Sequence, residues 1–138
     1  MARDFNGTTD RLDFANVANL AGSAFTVSFW FRADGGVPAN QYRFSIHRAS
    51  DVGPALLFNT ADSVNRNINL SRQSSGTAMN RESQVGAYSN GAWTHLLATG
   101  AASMAYADHH IYINGAEVSY QAGNQIDGAA TEYAGTGS

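Results

Sequence analysis

The stretch WTHLLATGAASMAYADHHIYINGAEVSY, residues 93–120, carries the least ambiguous local structure in the chain. Asn114-Gly115 stands between HHIYI and AEVSY. A two-residue type I′ turn requires positive φ at both central positions, which asparagine and glycine tolerate best, so the segment predicts a β-hairpin. The turn sets the register: Ile113 opposite Ala116, Tyr112 opposite Glu117, Ile111 opposite Val118, His110 opposite Ser119 and His109 opposite Tyr120. Alternation along a strand then puts Ile111, Ile113, Ala116 and Val118 on an apolar face, with His110, Tyr112, Glu117 and Ser119 on a polar one. The first face meets a core, and the second meets solvent, a site or a partner.

Upstream, FTVSFWFRA (25–33) has the clearest period-two pattern in the sequence. Phe25, Val27, Phe29 and Phe31 fall on one side, Thr26, Ser28, Trp30 and Arg32 on the other. Burying each large apolar side chain contributes about 1.5–3 kcal/mol, which predicts this row at the centre of the core. YRFSIHRA (42–49), ALLFNT (55–60) and NRNINLSRQ (65–73) read as further strands. The last has Ile68 and Leu70 on one side and a wet side of Asn67, Asn69 and Ser71.

Residues 3–14 read as a second hairpin, ANVANLAGSA (15–24) as at most a helical turn, and Asp34-Gly35-Gly36 with Pro38, then Ser50 to Pro54, as turns. The segment 74–82 reads as a polar loop or marginal strand. Residues 84–88 are expected to pair weakly before Ser89-Asn90-Gly91 turns the chain. Beyond Tyr120 the sequence turns small and polar, with TEY (131–133) at most a short edge strand. Short strands, frequent turn signals and no convincing helix predict an all-β sandwich or barrel.

The bulk numbers bound the class. A chain of 138 residues with 43% hydrophobic and 14% charged residues is one domain able to bury a core, not a disordered segment. The absence of cysteine excludes disulfides, thiol catalysis and thiolate metal sites. Eight scattered arginines, no lysine and a net charge of −3 leave no basic stripe for a phosphate backbone, so no nucleic-acid partner is expected. No apolar run is long enough to span a bilayer, and the opening MARDFNGTTD has no secretory signal, so no membrane partner is expected either.

FNGTTDRLDF (5–14), AFTVSFWFRAD (24–34), NGAWTHLLATG (90–100) and IYINGAEV (111–118), in that order, resemble the laminin G-like branch of the concanavalin A-like lectin/glucanase superfamily. The matching positions are Phe5 to Gly7, Phe25 to Trp30, Gly91 to His95 and Tyr112 to Gly115. The resemblance implies a jelly-roll β-sandwich of two curved antiparallel sheets. It lacks the family's closing Ile-Gly and Gly-x-Ile-Asp-Glu-Val strands, which divides the chain into a core over 1–120 and a small, polar extension or truncated end over 121–138. A sandwich without those strands leaves a costly open edge. Three completions are available: the tail supplies a strand, the chain is part of something longer, or a neighbouring subunit adds a strand. The second and third are the expectation.

A retaining glycosidase needs two carboxylates about 5–5.5 Å apart. Glu82, Glu117 and Glu132 each lack an Asp two residues away, so a non-catalytic role is expected. His109 and His110 are adjacent and point to opposite faces of a strand, so they do not ligate one ion together. His95 matches a family position that usually packs, and His47 lies opposite its strand's apolar side. No cofactor is expected. Calcium is the alternative that the resemblance implies, because some relatives hold it at a sandwich rim. Asp10, Asp34, Asp51, Asp62 and Asp108 occupy predicted loops, but no Asp-x-Asp-x-Asp-Gly loop exists.

Stacking a sugar ring requires an exposed aromatic beside hydrogen-bonding groups. Trp30 with Arg32, Thr26 and Ser28, and Tyr112 with His110 and Glu117, offer that combination on a candidate glycan or partner face. Set against it, large aromatics are usually mostly buried, and both Trp30 and Trp93 are expected to pack at family core positions. The sequons Asn6-Gly7-Thr8 and Asn69-Leu70-Ser71 are read as chance. Two functions follow as expectations. The first is a structural or adhesive subunit of an extracellular assembly, most concretely a phage virion surface protein of decoration or fibre type. It would form homo-oligomers or contact neighbouring coat or fibre subunits or host glycans. The second is a soluble carbohydrate-binding module, with calcium as its candidate ion.

Overall fold

The computed structural model describes residues 24–33, 41–47, 54–60, 65–72 and 77–129, with 41–47 and 54–60 described by their backbone. The hairpin at 3–14, the helical turn at 15–24 and the TEY segment lie outside these residues, apart from Ala24. Eight strands are present among them: β1 Phe25–Arg32, β2 Gln41–His47, β3 Pro54–Thr60, β4 Ile68–Arg72, β5 Met79–Glu82, β6 Trp93–Gly100, β7 His109–Ile113 and β8 Ala116–Glu117. Helical structure among the described residues is confined to two short 3₁₀ turns, Tyr106–Asp108 and Ala122–Asn124. One sheet has the order β1-β6-β7-β8 and the other β2-β3-β4-β5. Every pairing is antiparallel.

The two sheets bury their apolar rows against each other, as a sandwich requires. Phe25, Phe31, Leu96, Ala98, Ile111 and Ile113 come from the first sheet, and Ile68, Leu70 and Met79 from the second. Val27 and Phe29 pack against this cluster while keeping some exposure. The period-two expectation for β1 is therefore met. Met79 is wholly buried, and 79–82 is a full strand rather than a polar loop. Residues 85–88 form a turn, from which Tyr88 packs edge-on against Phe31 with ring centroids 5.3 Å apart.

The Asn114-Gly115 turn has φ of 51° and 86°, and the register Tyr112↔Glu117 and Ile113↔Ala116 follows from it. Val118 continues the pairing through a 3.0 Å bond to the Ile111 carbonyl. Beyond that the expected register fails. Tyr120 does not face His109 across the hairpin; its backbone bridges Ser83 next to β5, and its hydroxyl accepts the Ile111 N–H at 2.9 Å. Ala116 is exposed because it stands at the hairpin tip.

The tail after the hairpin runs along β5. The Asn80 and Ile126 amides each donate to the other's carbonyl at 3.0 Å, Gln121 N–H donates to Glu82 O, Gln84 N–H to Ser119 O and Ala129 N–H to Thr77 O. At this edge the chain supplies its own cover, the completion that the sequence reading did not favour. The same tail explains why the second face of β4 is not wet. Asn67, 3% exposed, donates to the Glu82 carboxylate, which also accepts Asn124 Nδ2 at 2.7 Å.

A polar clamp crosses between the sheets at one end. Arg72 of β4 lies on the same side as Ile68 and Leu70, 2% exposed, with its Nη1 donating to the carbonyl of Ala101 at 2.7 Å. That nitrogen lies 3.5 Å from His109 Nε2, and the guanidinium stacks 5.7 Å from the Phe25 centroid. His109 Nδ1 donates to Ala105 O at 2.9 Å, which leaves Nε2 as the acceptor toward Arg72. Burial pushes the His109 pKa below 6.5, the Arg72 charge adds to the shift, and the Ala105 carbonyl opposes it. Gly100 is required here, since a Cβ would stand 2.3 Å from Phe25 Cε1 and 2.5 Å from His109 Cδ2.

Candidate functional site

The pairings of β1, β6, β7 and β8 fix which residues share the outer side of the first sheet. Arg32 stands opposite Trp93, Trp30 opposite His95, Ser28 opposite Leu97 and Thr26 opposite Thr99. Leu97 stands opposite Tyr112, Thr99 opposite His110, and Tyr112 opposite Glu117. All five candidates from the sequence, Trp30, Arg32, His110, Tyr112 and Glu117, therefore lie on one continuous face. The structure brings together two groups that sequence reasoning had on separate strands.

The tryptophans overturn the packing expectation. Trp30 is 63% exposed and Trp93 52%. Both occupy outward positions of a strict alternation in which Phe31, Thr94 and Leu96 take the inner side, so the pleat itself carries them outward. Trp93 is the site residue that sequence reasoning missed. The signal was available, because the pairing of Trp93 with Arg32 follows once β1 and β6 are set antiparallel.

The face has an aromatic half and a charged half. In the aromatic half the Trp30 ring lies against His95, centroids 5.0 Å apart and planes at 42°. His95 Nε2 is 2.8 Å from Ser28 Oγ. The hairpin turn holds the same residue from the other side: Asn114 Oδ1 accepts the His95 N–H and the Asn114 N–H donates to the His95 carbonyl, both at 2.9 Å.

In the charged half, His110 Nδ1 and Glu117 Oε1 are 2.6 Å apart, and Tyr120 donates its hydroxyl to the same oxygen at 2.9 Å. The His110 and Tyr112 rings are 6.4 Å apart. Hydrogen bonds from His110 and Tyr120 hold the Glu117 carboxyl below its ordinary 4.5. Tyr120, desolvated and donating to Glu117, is pushed up to about 12. That shift keeps the hydroxyl protonated as a donor across neutral pH, against the opposing charge of Arg81 of β5, which stacks 3.7 Å from the centroid of the Tyr120 ring.

Among the described residues the other carboxylates are engaged elsewhere, Asp127 accepting the Tyr106 N–H at 2.9 Å. Glu82 belongs to the other sheet, tied to Asn67 and Asn124, and Asp108 accepts the Ser103 hydroxyl. Glu132, Asp10, Asp34, Asp51, Asp62 and the His47 side chain lie outside the described residues. Among the described residues no group of three or more His, Cys, Asp or Glu could hold a metal ion, and no helix is long and apolar enough to cross a membrane.

Two antiparallel layers with an exposed aromatic and hydrogen-bonding sheet face define a β-sandwich of the binding type. The profile of the laminin G-like family, described as the concanavalin A-like lectin/glucanases superfamily, matches residues 6–136, and the chain belongs to that family. The match runs past Tyr120, further than the four motifs reach. Comparison with curated proteins and with solved structures returns no match. Domains of this family are generally non-catalytic binding modules, carbohydrate-binding or adhesive, and typically extracellular.

Proposed function

We propose that this chain is a non-catalytic adhesive module of an extracellular assembly, a virion surface protein of decoration or fibre type, and that it contacts glycans through the outer face of β1-β6-β7-β8. The observation that carries the reading is the pair of tryptophans more than half exposed on adjacent strands of one face. Leaving two indoles in water has a hydration cost that folding does not recover, which suits a surface kept for a partner. Tyr112, Glu117 and His110 supply hydroxyl, acceptor and imidazole groups that pair with sugar hydroxyls. Trp30, Trp93 and Arg32 supply the stacking and cationic side. Calcium is not needed at this face, because its groups are aromatic, imidazole and a single carboxylate.

The test is a glycan array followed by calorimetric titration of the best ligand with and without chelator. Binding that survives the chelator and is lost in Trp30→Ala and Trp93→Ala supports the reading, whereas absence of binding to every glycan overturns it. Size-exclusion and electron microscopy address the assembly: particles carrying the chain in a repeating arrangement support the coat or fibre role. A stable isolated monomer that binds glycans favours the soluble carbohydrate-binding module instead.

A further inference from the structure

We infer that His95 is a positioning residue of this face: it holds the Trp30 indole in place. The inference rests on the reading of the face as a binding surface, but its first test does not. Three contacts fix His95. Ser28 on β1 holds the ring at Nε2, while the Asn114 side chain and backbone on the hairpin turn hold the peptide on either side. The imidazole so fixed is the cross-strand partner of Trp30 and lies 5.0 Å from its ring. An exposed tryptophan without such a neighbour samples several rotamers and loses that freedom on binding.

The ring contact and the hydrogen bond act together. The Ser28 hydroxyl meets Nε2 of the imidazole and the Trp30 ring lies against the same imidazole, so the side chain that Ser28 fixes is also the wall that limits the indole.

The chain has two tryptophans, so Trp93→Phe leaves Trp30 as the sole indole reporter. Time-resolved emission anisotropy of Trp93→Phe is expected to show little fast local motion of the Trp30 indole, and the fast component is expected to grow in Trp93→Phe/His95→Ala. A fast component of equal size in both variants, with the fold retained, overturns the inference even if glycans bind.

The second arm uses the wild-type chain with a glycan found on the array. His95→Ala frees the Trp30 rotamer and is expected to lower affinity about two- to tenfold with the fold retained. His95→Gln, which keeps a donor toward Ser28, is expected to recover part of that loss. Affinity unchanged in His95→Ala overturns the positioning role. Absence of any glycan binding overturns the proposed function and leaves the fluorescence result to decide this inference alone.

Discussion

The two sheets obey one alternation and end with opposite outer surfaces. On the first sheet the outward residues include Trp30 and Trp93, large and exposed. On the second, at β4 and β5, the outward Asn67, Ser71 and Glu82 are small or polar and buried. Hydrophobicity alone would assign these surfaces the other way round. The difference is the tail, which lies along β5 and gives Glu82 its amide partners. A buried polar residue is sustained by the hydrogen bonds it makes, as Asn67 and Glu82 make one with each other. On the proposed function the covered surface serves the fold and the open one serves contact.

Truncations can break that division, and the largest effect is expected beneath both surfaces. Ile111→Ala removes a wholly buried side chain from the shared core and is expected to cost about 2–5 kcal/mol in denaturant unfolding. Gly100→Ala is expected to cost about 1–3 kcal/mol, since Phe25 and His109 must both shift to admit the methyl group.

On the covered surface, Glu82→Ala strands the Asn67 and Asn124 amides. It is expected to cost about 1–3 kcal/mol and to speed amide hydrogen exchange at Asn80, Gln121 and Ile126 before the rest of the sheet. On the open surface, Trp30→Ala and Trp93→Ala are expected to change stability by only about 0.5 kcal/mol in either direction. A large loss there would make the tryptophans structural and would erase the comparison.

The clamp between the sheets gives a pH signature of definite sign. Burial places the folded-state His109 pKa below the unfolded 6.5. The unfolded chain therefore binds more protons between those values, and the stabilising contribution is complete above 6.5 and is lost as pH falls from there toward the folded value. Thermal midpoints are expected to drop as pH falls below about 6.5, and His109→Phe is expected to remove that slope. Glu117 has the same sign below 4.5 but is exposed and contributes little.

Much of this was legible in the residues. The β1 row, the Asn114-Gly115 turn and the strands through Arg72 follow from period-two patterns, because each has one face that must be dry. The five candidate face residues were legible as two clusters; their union on one sheet depends on β6 lying between β1 and β7, which local pattern does not specify. The exposure of Trp30 and Trp93 was misjudged, since residue type argues for burial and only parity along the strand argues against it. The tail was unreadable for a different reason. Its residues pair through backbone and amide groups, so no hydrophobic period marks them, and Tyr120 leaves the hairpin because its hydroxyl caps Ile111 while its backbone joins Ser83.

The proposed function requires that the outer side of β1-β6-β7-β8 be the working surface. Backbone amide shifts followed by NMR during titration with a binding oligosaccharide test it most directly. The expected result is a cluster of perturbations at Ser28, Trp30, Trp93, His95 and Tyr112 with Asn80, Gln121 and Ile126 unmoved. Perturbations confined to the tail, or to the 101–108 connection at the sandwich end, would contradict it.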